Sequence, residues 1–198
     1  MSGRCSMPGG RRSERGQALL EFALFLVLIL FMIAGVADIG GLLNDHVSIE
    51  YATQIAARTG SVLGNQPTAD CAIISAVNSA LSSVASVTVT QIMIYNAGAD
   101  GLPQGATSES IYAGDPTCSI VGNLITLSEA ASPNNFPPSS RSNNPFTEDS
   151  LGVQVNYTYA FQFPLLGSGV FQGSDYTVMP LNPIVVPTPQ GVPTHRDE

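Results

Sequence analysis

The first feature of the chain is an apolar run over residues 18–37, twenty residues that carry a single charge, Glu21. A helix that crosses the hydrocarbon core of a bilayer needs about 20 such residues. The run therefore predicts a membrane-spanning helix. Because an unpaired carboxylate in hydrocarbon is unfavourable, we expect that Glu21 is kept there for a purpose.

Beyond this run, apolar residues recur at every fourth position and predict that the helix continues as an amphipathic stalk. The members of this stripe are Ile39, Leu43, Val47, Tyr51 and Ile55. Gly64 followed by Pro67 is a helix stop signal. The pattern predicts one helix over residues 17–63, roughly 70 Å long at 1.5 Å per residue.

Small residues lie where the predicted membrane span meets the stalk. Gly35, Gly40 and Gly41 each weaken a helix by about 1 kcal/mol relative to alanine. Ala37 and Gly41 are four residues apart, a spacing that lets two helices approach closely. The same residues also suit a flexible exit from the bilayer, and the pattern does not decide between these interpretations.

The pattern after the stalk predicts short elements. Residues 71–84 have helical periodicity, with Asp70 as a candidate N-cap. Residues 86–95 are rich in β-branched side chains and indicate a strand.

Three further segments are less regular. Residues 96–110 are rich in turn formers, and the apolar residues 119–127 suit either a strand or a helix. Residues 132–145 consist largely of Pro, Asn and Ser, so we expect a mobile surface loop that buries little.

The clearest strand pattern lies in residues 151–163, where large apolar residues alternate with small or polar ones. Period two places every large apolar side chain on one face, which we expect to pack on the amphipathic helix. Residues 175–186 are extended but contain Pro180 and Pro183, which indicates an edge strand. The elements together predict an α+β fold, with a long N-terminal helix followed by a small antiparallel sheet.

Charge differs between the two sides of the apolar run. Residues 1–16 hold four arginines and one acid, whereas the chain from Asp38 onward holds three arginines and thirteen acids. The positive-inside rule therefore predicts a single-pass protein with its N-terminus in the cytoplasm and its bulk outside. A net charge of −8 argues against nucleic-acid binding, which requires a basic face.

The three cysteines fit this topology. Cys5 lies in the predicted cytoplasmic segment, while Cys71 and Cys118 lie in the predicted exported part, where disulfides form. A Cys71–Cys118 bridge would remove about 4 kcal/mol of chain entropy from the unfolded state. The alternative is a pair of buried free thiols.

Three interpretations of the apolar run remain open from its residues. A cleaved secretory signal would use the small residues Gly35 and Ala37 and leave a chain beginning at Asp38, but the run is longer than the usual apolar core of a signal. A plain single-pass anchor fits the length and leaves Glu21 unexplained. The third interpretation rests on the residues that precede the run.

The stretch "GQALLEF" resembles the processing site of type IV pilin-like proteins. In that family a prepilin peptidase cuts after the glycine of a basic leader, and a glutamate occupies the fifth mature position. The resemblance implies cleavage between Gly16 and Gln17, with Glu21 and Phe22 as assembly contacts. It also implies that Glu21 pairs with the N-terminal amino group of a neighbouring subunit. Many such pilins begin with phenylalanine, so the glutamine here leaves N-terminal methylation open.

Downstream residues narrow the resemblance to the TadE-like family of minor pilins or pseudopilins, which serve tight-adherence (Tad/Flp) pili. The segment that carries it ends near Gly64 and includes the triplet Glu21–Phe22–Ala23, Asp38 at the membrane exit and "ATQIAARTG". This resemblance implies a part in pilus assembly and surface adhesion. The implied partners are other pilin subunits, a prepilin peptidase, the inner-membrane assembly platform and the membrane itself.

The resulting layout has a leader at residues 1–16, a transmembrane helix at 17–42, an amphipathic continuation at 43–64, an exported head at 65–186 and a disordered tail at 187–198.

No constellation of residues in the sequence indicates catalysis, a cofactor or a metal site. His46 and Glu50 have helical i, i+4 spacing, but two ligands do not make a metal site. We therefore expect a structural protein and not an enzyme. The alternative is an exported binding domain, held by an uncleaved anchor or released by signal peptidase.

Overall fold

The computed structural model describes residues 11–105, 107–122, 124–163 and 169–182, with the backbone alone for residues 11–15. The predicted tail over residues 187–198 lies outside the described residues. The expected α+β fold is confirmed, since a long, apolar N-terminal helix is followed by a small antiparallel sheet.

The longest element is helix α1, Arg11–Leu63, whose 53 residues make it about 80 Å long. It ends where the sequence predicts. Gly64 has a φ of 56°, in the left-handed region that favours glycine, and its N–H donates to the carbonyl of Gly60 over 2.8 Å. The helix begins at Arg11, earlier than the predicted start at residue 17.

Helix α2, Ala69–Leu81, begins and ends slightly earlier than the sequence predicts. The prediction that Asp70 caps this helix is wrong. The N-cap residue is Thr68, and no side chain makes the cap hydrogen bond. The Asp70 carboxylate lies inside the first turn and pairs with Arg141, because a buried charged partner holds it more strongly than a backbone N–H would.

The described strands are β1 Val87–Asn96, β2 Glu109–Ala113, β3 Cys118–Val121, β4 Leu124–Leu127, β5 Ser150–Ala160 and β6 Val170–Pro180. Four of them form one antiparallel sheet in the order β2-β1-β5-β6, and β3 and β4 form a separate hairpin. Helix α1 packs on β5 and β6, and α2 lies beside α1 near β1 and β3.

The central strand β5 has the predicted alternation, and its large side chains on the helix-facing side are buried: Leu151, Val153, Val155, Tyr157 and Tyr159. The predicted strand extends to residue 163, whereas the observed strand ends at Ala160 and Phe163 is 47% exposed. The chain turns toward α1 there because the backbone N–H groups of Gln162 and Phe163 donate to the carboxylate of Asp38.

Two further segments differ from the sequence prediction. Residues 119–127 form neither one strand nor one helix, because strands β3 and β4 pair as a hairpin within them. Strand β2 is not predicted at all, since its five residues are too few to show a period beside the turn-rich segment. The predicted edge strand at residues 175–186 is the C-terminal half of β6, which does lie at the sheet edge; its residues from 183 on lie outside the described part.

The prediction that residues 132–145 bury little is wrong. Phe136 and Arg141 are each 4% exposed, and Phe136 belongs to the main core. The same segment closes the outer edge of β2, since Ile111 N–H donates to Pro133 over 2.9 Å and Ser132 N–H donates to Ile111 over 2.8 Å. A composition rich in Pro, Asn and Ser does not reveal that two side chains anchor the loop.

Candidate assembly surface on the stalk helix

The first part of α1 makes no contact with the head. Residues 16–33 are all exposed. The most apolar window of this helix has a mean hydropathy of 2.8, and none of it is buried. Within the described residues, it is the one helix long and apolar enough to cross a membrane. This arrangement is compatible with a single-pass anchor, because such a surface requires lipid or another apolar surface around it.

The residues singled out by the pilin resemblance lie on this exposed part of α1. Gly16, Gln17, Glu21 and Phe22 are all exposed, Phe22 to 65%. Gln17 and Glu21 are four residues apart and therefore lie on one face of the helix, one turn apart. No ion pair joins Glu21 to another group among the described side chains. Glu21 is thus exposed and has no ion-pair partner in the described part of the chain.

Farther along α1, an apolar stripe points away from the head. Four of the five residues that the sequence places in this stripe are exposed by 58–62%: Ile39, Leu43, Val47 and Tyr51. The fifth, Ile55, is half-buried. The sheet does pack on this part of the helix, but through the opposite face. The outward stripe, as we call Ile39, Leu43, Val47 and Tyr51, therefore continues the exposed apolar surface of the membrane span.

The face of α1 that carries the head is built largely from small residues. Ala52, Ala56 and Ala57 are fully buried there, together with Ile49. Gly60 leaves no room for a side chain, because a Cβ at this position would collide with Leu151 Cδ2. Small residues let the backbone of α1 approach the sheet and α2 closely.

Buried polar side chains also line this inward face, and we call them the polar seam: Asp38, Asp45, Thr53 and Ser61. Each is less than 9% exposed, at 8%, 7%, 0% and 8% respectively. They are seven or eight residues apart, which is about two helical turns, and each contacts the head.

Asp38 joins the stalk to the end of β5. Its carboxylate accepts the N–H of Gln162 over 3.0 Å and the N–H of Phe163 over 3.2 Å. The hydroxyl of Tyr159 donates to the Asp38 carbonyl over 3.4 Å. Burial, with the nearby carboxylates of Asp45 and Asp38, raises the pKa of Tyr159, so its hydroxyl stays protonated and can donate.

The other members of the polar seam contact the sheet and the chain that leads into it. The hydroxyl of Ser86 donates to Asp45. The hydroxyl of Thr53 contacts Asp175 Oδ2 over 2.7 Å, and that of Ser61 donates to the last carbonyl of β6. The head is thus held to the stalk by directional polar bonds in addition to close packing.

Ala37 and Gly41, the predicted helix-packing pair, differ in their exposure. Ala37 is exposed, whereas Gly41 lies under the head, where an added Cβ would meet Tyr159 Oη at 2.9 Å. The two residues therefore do not form an uninterrupted small-residue surface for a second helix. The structure gives Gly41 a different use, which is to leave room for the hydroxyl of Tyr159.

His46 and Glu50 do not converge on a common site. The ring of His46 hydrogen-bonds through Nδ1 to Tyr157 Oη over 3.2 Å, while Glu50 accepts from Gln54 over 3.3 Å. Among the described residues, no group of three or more His, Cys, Asp or Glu side chains is arranged to hold a metal ion.

The structure joins Cys71 to Cys118 in a disulfide, with the two Cα atoms 5.4 Å apart. The bond ties α2 to the start of the β3–β4 hairpin. Cys5 lies outside the described residues.

The head contains a buried ion pair that the sequence does not predict. Arg141 and Asp70 are bonded, the hydroxyl of Tyr112 donates to Asp70 over 2.8 Å, and the Arg141 guanidinium lies 5.0 Å from the ring centroid of Phe136. Burial raises the pKa of Tyr112, with the Asp70 carboxylate as the next cause. A lone arginine in a polar loop gives no signal of this pairing, although it is one of only three after the membrane span.

Comparison with known proteins gives one result, and it concerns the stalk. Residues 16–58 match the family model described as TadE-like protein. No match was found among curated proteins or among solved structures. The matched segment contains the Gly16–Gln17 bond, Glu21, and the outward stripe, and it ends before the head begins. This N-terminal segment is therefore similar to TadE-like proteins, and the match does not extend to the head.

Proposed function

We propose that the protein is a minor pilin or pseudopilin of a Tad (Flp) pilus and takes part in the assembly of the fibre and in surface adhesion. The observation that carries the proposal is the orientation of α1. Its inward face is occupied by the head, while the outward stripe of Ile39, Leu43, Val47 and Tyr51 stays exposed beyond the membrane span. Such a surface favours packing against the stalks of other pilin subunits once the helix leaves lipid.

The proposal includes the route to the fibre. A prepilin peptidase removes residues 1–16 on the cytoplasmic side, and the inner-membrane assembly platform then takes up the mature subunit. The head lies outside the membrane and the N-terminus inside, as the charge asymmetry indicates. The TadE-like match over residues 16–58 supports this route because it begins at the glycine of the proposed cleavage site.

Glu21 has a defined task in this scheme. Cleavage after Gly16 gives Gln17 a free amino group, with a reference pKa of about 7.7–8.0, so it is largely protonated at neutral pH. A carboxylate and an ammonium in apolar surroundings offset one another, whereas either alone is unfavourable there. We propose that Glu21 pairs with the amino group of a neighbouring subunit and sets the register between the two stalks.

Two measurements on protein from the native host test this function. Intact mass should give a chain that begins at Gln17. A chain beginning at Asp38 would favour a secreted binding domain, and a chain that retains Arg15 would favour a plain anchor.

The second measurement compares incorporation of Glu21→Ala and Glu21→Gln with that of the natural chain into sheared pili or crosslinked pilin complexes. Loss of a buried charged partner costs about 3–5 kcal/mol, so Glu21→Ala should be nearly absent from the assemblies while its cleavage and its head remain normal. Equal incorporation of all three forms would show that Glu21 is not an assembly contact.

A further inference from the structure

Within the described residues, strand β6 leaves one edge of the main sheet open. Leu181 N–H donates to Asp149 over 3.0 Å, one step beyond the pair Ser150–Pro180, and this fixes the alternation of the β5–β6 ladder. The backbone groups of every second β6 residue therefore point away from β5: Gln172, Ser174, Tyr176 and Val178. No hydrogen bond joins their N–H groups to any other part of the described chain.

The two outer edges of the main sheet differ in whether another segment pairs with them. The outer edge of β2 is closed by residues 132–135, which bond to it through the backbone. At its end, the β6 edge lacks one hydrogen-bond donor, because Pro180 has no backbone N–H. Elsewhere it is flanked by exposed apolar side chains, Val170 at 61%, Phe171 at 43% and Tyr176 at 47%. An uncovered edge of this kind is a template for pairing with another strand.

The β3–β4 hairpin presents a second open edge. Ser128 N–H donates to Thr117 over 2.9 Å, so the backbone groups of Ile125 and Leu127 in β4 point away from β3. They too have no backbone partner among the described residues. Exposed apolar side chains accompany this hairpin, with Val121 of β3 at 74% and Leu124 of β4 at 68%.

Strand directions decide which edges can meet between two copies that share a membrane. Strand β6 runs with the stalk, because Phe171 pairs with Tyr159 near Asp38, whereas Pro180 lies beside Ser61. Antiparallel pairing of β6 with β6 of a second copy would therefore point the two stalks in opposite directions. A single membrane anchor on the same side of each chain forbids that arrangement.

In the hairpin, strand β4 runs in the direction opposite to β6. Helix α2 runs back along α1, since Ile73 lies beside Gly60 near the stalk end and Ser86, after α2, contacts Asp45. The chain then passes from Pro116, which accepts a hydrogen bond from Asn78, to Cys118, which is bonded to Cys71. Strand β3 thus runs with the stalk, and β4 runs against it.

We propose that β6 of one copy accepts β4 of a neighbouring copy as an added antiparallel strand. The contact joins two different surfaces, so it does not close into a dimer but continues from copy to copy in a row. The two edges suit this because β6 lies under α1, whereas the hairpin lies beyond α2 on the other side of the head. The inference rests on the proposed function only in that neighbouring copies share one membrane orientation.

Thiol crosslinking of the full-length chain in membranes tests the pairing. In a Cys5→Ser background, the double variant Leu124→Cys/Tyr176→Cys, treated with a flexible bismaleimide, should give a ladder of dimers, trimers and larger species. Each single variant should stay monomeric, and the two single variants expressed together should give dimers alone. Dimers from Tyr176→Cys by itself would overturn the proposal in favour of β6–β6 pairing, and absence of a ladder from the double variant would overturn it outright.

A backbone substitution separates strand addition from chance proximity. Ser174→Pro removes one outward N–H and leaves the β5–β6 ladder donors in place, so in the double-cysteine background the ladder should fall about tenfold, whereas the matched Ser174→Ala should keep it. Gln172→Lys, which places a charge at the same edge without changing the backbone, should also weaken the ladder. Retention of the Cys71–Cys118 bond reports that the head is folded. A ladder unchanged by both Ser174→Pro and Gln172→Lys would overturn strand pairing.

Two readouts of the proposed function do not depend on this ladder. They are cleavage after Gly16 and the dependence of incorporation on Glu21, and both are measured in the same cells. A lost ladder with normal incorporation contradicts the edge contact alone. A normal ladder with a chain that begins at Asp38 contradicts the proposed function instead.

Discussion

The two faces of α1 beyond the membrane span show opposite relations between polarity and burial. The inward face buries the polar seam of Asp38, Asp45, Thr53 and Ser61, whereas the outward stripe is about 60% exposed. A surface helix of a globular protein normally turns its apolar stripe toward its own core. An apolar stripe therefore identifies the face that needs a partner, but it does not say that the partner belongs to the same chain.

The largest expected effect comes from a change that destabilises the head and leaves the outward stripe intact. Replacing both Cys71 and Cys118 by serine opens a loop with a sequence separation of 47 residues and should lower the free energy of unfolding of the head by about 4 kcal/mol. Urea unfolding of the detergent-solubilised chain measures it, and Cys5→Ser is the matched control that should change nothing. A double-serine variant as stable as the natural chain would show that the bridge does not hold the head together.

A pair of glycine substitutions compares the two faces directly. Gly60→Ala places a methyl group against Leu151 and Ile73 on the inward face and should cost about 1–3 kcal/mol through overpacking. Gly40→Ala meets no atom within 4 Å and should instead stabilise the helix by up to about 1 kcal/mol. Thermal unfolding of the two variants decides the matter. Shifts of the same sign would contradict the assignment of the faces.

The polar seam is tested by Asp38→Asn. The amide retains an acceptor for the N–H of Gln162 or Phe163 but loses the charge, so the head should lose about 1–2 kcal/mol of stability. The control is Leu43→Ser on the outward stripe, which should stay within about 0.5 kcal/mol of the natural chain because the head does not touch it. Limited proteolysis after residue 160 provides a second readout. Equal effects of the two variants would mean that Asp38 does not anchor the end of β5.

These outcomes bear on what the sequence could reveal. The long helix, its end at Gly64 and the alternation of β5 were predictable because each is a sustained periodic pattern. The direction of the stripe was not, because periodicity shows that a helix has two faces without showing which one packs inside the chain. Strand β2 and the buried Arg141 were missed for a different reason. Each depends on tertiary partners that local composition does not encode.

Alkaline pH tests the burial of tyrosine hydroxyls in the head. Burial raises the pKa of Tyr157 and Tyr159 on the head-facing side, and it raises that of Tyr95 to about 12. A phenol whose pKa is higher in the folded state stabilises the fold fully below the unfolded value of about 10, and this contribution is lost as pH rises through the folded value. Urea midpoints should therefore hold up to about pH 10 and fall between about pH 10 and 12. A midpoint that rises across this range would contradict the burial of these hydroxyls.

The outward stripe itself is tested most directly by a photoreactive residue at Val47 in the native host, with the pilus machinery present. Val47 is 62% exposed and lies on the face opposite the head. The account predicts adducts that join Val47 to the stalk helix of another pilin-type subunit, while the same probe at Asp115, an exposed head residue, gives none to that helix. Adducts of Val47 confined to lipid or to its own head, with no second stalk captured, would contradict the claim that this face of α1 is kept for assembly.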